Sequence, residues 1–227
     1  MAAPPTNDVR YDAMVERLFP NFQPAKPVWP VTARLAVWLT LELAILLVAL
    51  ATHRADLPQK LRSTKYLLEL ALFMGMGTGA AVLALKTAIP GREVKRNELA
   101  LLSAAALTAI TLISWEPSFD NASLAEFMRK GIPCGLFTGI FAALPWLGLF
   151  WAVRRGAPLA LRPAGALIGV AAFSFALAVG RLRCPIEDSL HFLTWHMLPS
   201  VVGVLLSIFV GIAWLRRRRL VSLPGTR

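Results

Sequence analysis

Cysteine is nearly missing from this chain: two in 227 residues, Cys134 and Cys184. They form no C-x-x-C pair, which argues against a thiol oxidoreductase of the usual kind. The C-x2-C…H-x3-H spacing of a zinc finger is absent too. Histidine occurs three times, at His53, His191 and His196. No glycine-rich phosphate loop and no nucleophile–base pair is visible. Charge is also scarce, at 16% of residues where a soluble domain carries about a quarter. Acids are the scarcer sign, 13 against 24 lysines and arginines. Hydrocarbon takes the remaining space. Hydrophobic residues make up 56% of the chain and mean hydropathy is +0.59.

The apolar residues gather into six runs, near Val31–Ala51, Tyr66–Ile89, Leu99–Trp115, Cys134–Val153, Ala160–Gly180 and Phe192–Leu215. Each is close to the roughly 20 residues a helix needs to cross about 30 Å of hydrocarbon. The expected fold is an all-α integral membrane protein: a six-helix transmembrane bundle with a short cytoplasmic N-terminal amphipathic helix. Three parts follow: a head and proline-rich spacer over 1–30, the bundle over 31–215, and a basic tail over 216–227. The first 30 residues hold no apolar core of a cleaved signal peptide. Lysine and arginine near the span ends number 16 on the side of both termini and 8 on the other. The positive-inside rule therefore expects both termini in the cytoplasm of a bacterial inner membrane. The "RRRR" at 216–219 then reads as a headgroup anchor, with no direct contact to nucleic acid.

In the head, Tyr11, Met14, Val15 and Leu18 recur at helical spacing, with Phe19 adjoining. Asn7 or Asp8 can cap this helix and Pro20 ends it. Two or three turns are marginal alone in water, so the apolar face needs a surface to lie on. The other face is not rich in basic residues, which favours a groove on a soluble partner over the lipid surface.

With this orientation both cysteines fall on the outer side, each at a mouth of the bundle. Cys184 opens the stretch "CPIEDSLHFLTWH", which also holds His191 and His196. Three readings stay open for the thiols: a structural disulfide, a reversible redox or metal site, or inert groups. Within the spans, Glu42 lies near the bilayer centre and Glu69 near an outer end; a buried hydrogen bond to a neighbouring helix is the plain expectation for each. Lys86 should snorkel. The G-x-x-x-G pairs Gly75 and Gly79, Gly135 and Gly139, and Gly165 and Gly169 indicate tight bundling. Pro145 should kink the fourth span, and Pro199 the sixth.

These residues resemble the NrsF family of six-span anti-sigma factors. The likeness rests on the head "MVERLFPNFQPAKPVWP", the acid in "LLELAL", "IPCG" before the fourth span, "AVRRGAP" after it, and above all "RCPIEDSLHFLTWH". It covers residues 10 to 217. Arg183 stands where the family pattern would have histidine. The resemblance implies that the head holds an extracytoplasmic-function sigma factor at the membrane. It also implies that Cys134 and Cys184 sense a periplasmic metal or oxidative signal, with His191 and His196 as further ligands. A transient soft metal ion is then the expected ligand, with no fixed cofactor and no enzymatic activity. The competing class is a small transporter or a membrane thiol or metal enzyme. A transporter should line its midplane with polar groups on several helices, and here only Glu42 is deep.

Overall fold

The computed structural model describes residues 14, 29–52, 54–89, 91–115, 123–156 and 158–215. The chain forms α1 (Val31–Ala51), the short α2 (Leu57–Lys60), α3 (Thr64–Thr87), α4 (Arg96–Ser114), α5 (Leu124–Arg154), α6 (Leu161–Arg183) and α7 (Ser189–Leu215). Among the described residues there is no strand. Six of the helices are long and apolar enough to cross a membrane, which bears out the expected all-α bundle.

α6 is the axis of the bundle. It packs on α3, α5 and α7, and most of its apolar stretch is buried. Its sequence explains why, since Ala164, Gly165, Gly169, Ala171, Ala172, Ala176, Ala178 and Gly180 keep its surface thin. Helices in lipid gain little hydrophobic free energy by meeting each other, so close backbone packing decides which ones pair. A Cβ at Gly165 would lie 2.6 Å from the Ser207 carbonyl oxygen, and one at Gly169 would lie 2.9 Å from Val204 Cα. Ser207 Oγ donates to the Gly165 carbonyl at 2.6 Å and accepts from Trp146 Nε1 at 2.9 Å. Of the three pairs singled out from the sequence, this is the one in which both glycines admit a close backbone; Gly75 and Gly139 face open space. α4 lies at the margin, held mainly by α3, with Ala109 and Ile113 buried.

One expectation needs correction. The fourth helix does not start at Cys134. It begins ten residues earlier at Leu124, where Ser123 Oγ accepts from the Glu126 amide and Lys130 pairs with Glu126 at 2.7 Å. Cys134 is therefore about 15 Å inside a helix, at 1.5 Å per residue, and not at its mouth. α5 also continues without a break through Pro133 and Pro145. In α7 a turn of π-helix, Leu193–Met197, immediately precedes Leu198 and Pro199.

The buried acids occupy separate places. Glu69 of α3 is fully buried and pairs with Arg181 of α6 at 2.6 Å, and that guanidinium also lies over Tyr66 and Phe192. Glu42 sits on the buried stripe Arg34, Trp38, Glu42 and Leu46 of α1, where its Oε1 finds no partner among the described residues. Lys86, expected to snorkel, pairs with Glu98 at 3.1 Å.

Candidate metal centre

α6 ends where the Cys184 amide caps it, donating to the Gly180 carbonyl at 2.8 Å. A short extended connection then leads to Asp188, whose Oδ2 accepts the His191 amide at 2.8 Å and starts α7. Both thiols are free, and Cys134 of α5 places its Sγ 3.9 Å from that of Cys184. His191 Nε2 lies 3.5 Å from the Cys184 sulfur. With His196, the four residues each offer one ligand atom, and all four atoms lie within 4.8 Å of one another.

These separations can be set against a tetrahedral ion. Metal–sulfur bonds of about 2.3 Å and metal–nitrogen bonds of about 2.05 Å put two sulfurs about 3.8 Å apart, and a sulfur and a nitrogen about 3.6 Å apart. The observed 3.9 Å and 3.5 Å are those edges. Two thiols and two imidazoles form a soft donor set of the kind zinc and its heavier relatives prefer.

His191 and His196 are five residues apart, which on an α-helix points them to different sides. The π turn resolves this. Its i to i+5 bonding brings residues five apart back to one side, and the two ring centroids lie 5.8 Å apart. Thr138 Oγ1 meets His196 Nδ1 at 2.9 Å, while His196 Nε2 is buried with no hydrogen-bond partner among the described residues. One nitrogen fixed by a neighbour and the other unclaimed is the usual state of a metal-ligating imidazole. Phe192 stacks on His196 at 4.8 Å, and Phe127 meets His191 edge-on at 6.3 Å. Two glycines admit these rings. A Cβ at Gly180 would lie 2.8 Å from His196 Nδ1, and one at Gly131 would lie 1.9 Å from Trp195 Nε1.

The Cys184 backbone is clamped from outside the cluster. Arg54, almost fully buried, donates through Nη1 to the Cys184 carbonyl at 2.8 Å and through Nη2 to Glu187 at 2.7 Å and Asp56 at 2.6 Å. Lys60 binds the other Glu187 oxygen. The guanidinium holds the Asp56 carboxyl below the ordinary range. Burial opposes ionisation of Glu187, but Lys60 and Arg54 outweigh it and lower its pKa too.

The structure thus brings together Cys134, Cys184, His191 and His196, and leaves Glu42 and Glu69 outside the group. Of the partner-binding face, Tyr11, Val15, Leu18 and Phe19 lie outside the described residues, as does His53; Met14 is exposed. Sequence reasoning missed Thr138, Arg54, Gly180 and Gly131. The H-x4-H spacing before a proline was the signal for the π turn; nothing in the sequence signals Arg54. In comparisons with known proteins, the chain matches the NrsF family, described as "Negative regulator of sigma F", over residues 20–217. Nothing matches it among curated proteins or among solved structures.

Proposed function

As the chain belongs to the NrsF family of negative regulators of sigma F, we propose that it is a membrane-anchored anti-sigma factor with a sensor at the opposite end of its bundle. The head carrying Tyr11, Met14, Val15, Leu18 and Phe19 holds an extracytoplasmic-function sigma factor at the cytoplasmic face of the inner membrane. A periplasmic metal or oxidative signal at Cys134 and Cys184, with His191 and His196, releases it. The excess of 16 basic residues over 8 supports this orientation. The observation that carries the sensor reading is the gathering of four soft ligand atoms within 4.8 Å, contributed by α5, α7 and the connection between α6 and α7. A bound ion would supply charge and four bonds there. The chain's own part is to present two thiols and two imidazoles from separate elements, so that occupancy ties those elements together.

The thiols have two ways to respond. Thiolates bind soft metals, and oxidants attack the same species. Either outcome links α5 to the end of α6. The test pairs sigma-regulon output, with and without metal or oxidant, with the amount of protein in the membrane. Cys134→Ser and Cys184→Ser should each leave abundance unchanged and alter the response. Normal induction in the double serine variant, at normal abundance, refutes the sensor. A purely structural disulfide would instead cost a few kcal/mol when removed and deplete the protein.

A further inference from the structure

A cavity of about 170 Å³ lies between α5 and α6 beside the thiol pair. Phe137, Phe141, Ala176 and Val179 give it apolar walls, and Cys134 and Arg183 bring polar groups to it. Phe137 and Phe141 stack at 6.1 Å, and the Arg183 guanidinium lies over both rings at 5.3 and 5.5 Å. Among the described residues no carboxylate is paired with Arg183. Phe137 and its neighbours Leu136 and Ile140 are exposed on the outer flank of α5, the flank that meets lipid in a membrane-crossing bundle. A cavity of about 150 Å³ holds a benzene ring, so this one takes a single substituted ring.

The features call for one kind of ligand: a planar apolar ring from the bilayer, with an oxygen for an unpaired guanidinium, reactive toward a thiol. We propose that a membrane quinone binds in this cavity and oxidises Cys134 and Cys184 to a disulfide. The proposal rests on the reading of these thiols as signal-responsive, and names the oxidant class. A small polar oxidant such as hydrogen peroxide would reach the thiols from water and would need neither the aromatic walls nor Arg183.

The chemistry balances. His191, 3.5 Å from the Cys184 sulfur, takes its proton. The Cys184 sulfur, also in the cavity wall, bonds to a ring carbon, and the electron pair moves onto a quinone oxygen held by Arg183. The Cys134 sulfur, 3.9 Å away, then attacks that of Cys184 and passes its proton to a ring oxygen; the S–S bond forms as the S–C bond breaks, and the pair returns to the ring. Two thiol protons and two electrons end on the quinone, which leaves as the quinol. The sulfurs must close from 3.9 Å to about 2.05 Å, a side-chain movement.

The test uses the full chain in detergent, reduced, desalted and kept anaerobic. A short-chain benzoquinone is added in one arm and hydrogen peroxide in the other. Quinone absorbance and free thiols are followed together. One equivalent of quinone should be reduced per chain with loss of two thiols. Phe137→Ala and Arg183→Gln should each lower the ratio of quinone rate to peroxide rate at least tenfold. Thiols oxidised by peroxide but untouched by quinone would overturn the quinone site and leave the thiol sensor standing. An unchanged rate ratio in both variants would place quinone attack outside the cavity and also overturn it. Failure of both oxidants to join the thiols, with no soft-metal binding, would bring down the sensor reading itself.

Discussion

Gly180→Ala isolates the His196 position by a single methyl group. The added Cβ would lie 2.8 Å from His196 Nδ1 and 3.2 Å from Cε1, and ordinary contact needs about half an ångström more. The ring has nowhere simple to go, because Phe192 stacks on one face and Thr138 holds Nδ1. Overpacking of this kind costs about 1–3 kcal/mol. Relief comes by tilting the imidazole away from α6, which breaks the Thr138 bond and moves a ligand atom out of the cluster. Losing such a supporting contact costs about 10–100-fold in metal affinity. The control is Gly75→Ala, whose Cβ meets nothing within 4 Å. Purified wild type and both variants are titrated with Zn²⁺ against a chromophoric chelator, and thermal unfolding in detergent is recorded alongside. Gly180→Ala should bind at least tenfold more weakly than Gly75→Ala. Equal affinities for all three proteins would refute the placement of His196 among the ligands.

Leu18→Asp removes about 1.5–3 kcal/mol of burial from the head and adds a desolvated charge. Affinity for the sigma factor should fall at least tenfold, by about 1.4 kcal/mol per decade, and the regulon should switch on without stress; unchanged repression refutes this face. In intact cells with a permeabilised outer membrane, an impermeant maleimide should label reduced Cys134 or Cys184 but not a cysteine introduced as Ser222→Cys. Labelling at position 222 alone overturns the topology. Arg54→Ala frees the connection after Cys184, so the maleimide rate at Cys184 should rise at least tenfold; no change would show the clamp to be idle. Arg54 depresses the folded-state pKa of Asp56, so that contribution is complete above the unfolded value and lost only as pH falls through the lowered one. Mild acid should therefore leave Cys184 as protected as neutral pH does. Trp38→Phe removes an indole donor worth about 0.5–1.5 kcal/mol; metal affinity should hold while the regulon response weakens, and an intact response would count against α1 as the route to the head.

Much of the bundle was legible because composition alone dictates it. A run of apolar residues in lipid must satisfy its own backbone, and only a helix does so within one segment. The first span falls at its expected limits, Val31–Ala51, because polar or proline-rich chain brackets it on both sides. The fourth does not, because hydropathy discounts Arg129 and Lys130 although an N-terminal serine cap and an i,i+4 ion pair extend the helix through them. The cluster was half legible. Two cysteines and two histidines on one side suggested a site, but which would meet depended on α5 reaching past Cys134 and on a π turn inserted before Pro199. Arg54 was hidden for another reason. Its partners, the Cys184 carbonyl and Glu187, lie 130 and 133 positions away, and no local pattern encodes such a pairing.

The helix most able to pass a change at the cluster to the head is α5. It carries Cys134 ten residues in from its start, and further along it offers backbone carbonyls to α1: Pro145 to Trp38 Nε1 at 2.9 Å and Ala152 to Arg34 Nη1 at 3.1 Å. α1 begins at Val31, directly after the proline-rich spacer of the head. α6 and α7 are poorer routes, because Gly165 and Gly169 lock them backbone to backbone and they respond as one body. The two prolines suit α5 to the task. Each removes one i to i−4 bond from the helix, and the first stands beside Cys134 while the second carries the carbonyl that holds Trp38. Joining Cys134 to Cys184, directly or through an ion, would act on α5 between its two prolines, with Pro145 standing between Cys134 and the Ala152 carbonyl. A displacement passed on in this way would reach α1 through two hydrogen bonds that α6 and α7 do not share, and Trp38→Phe, which removes one of them, tests that route.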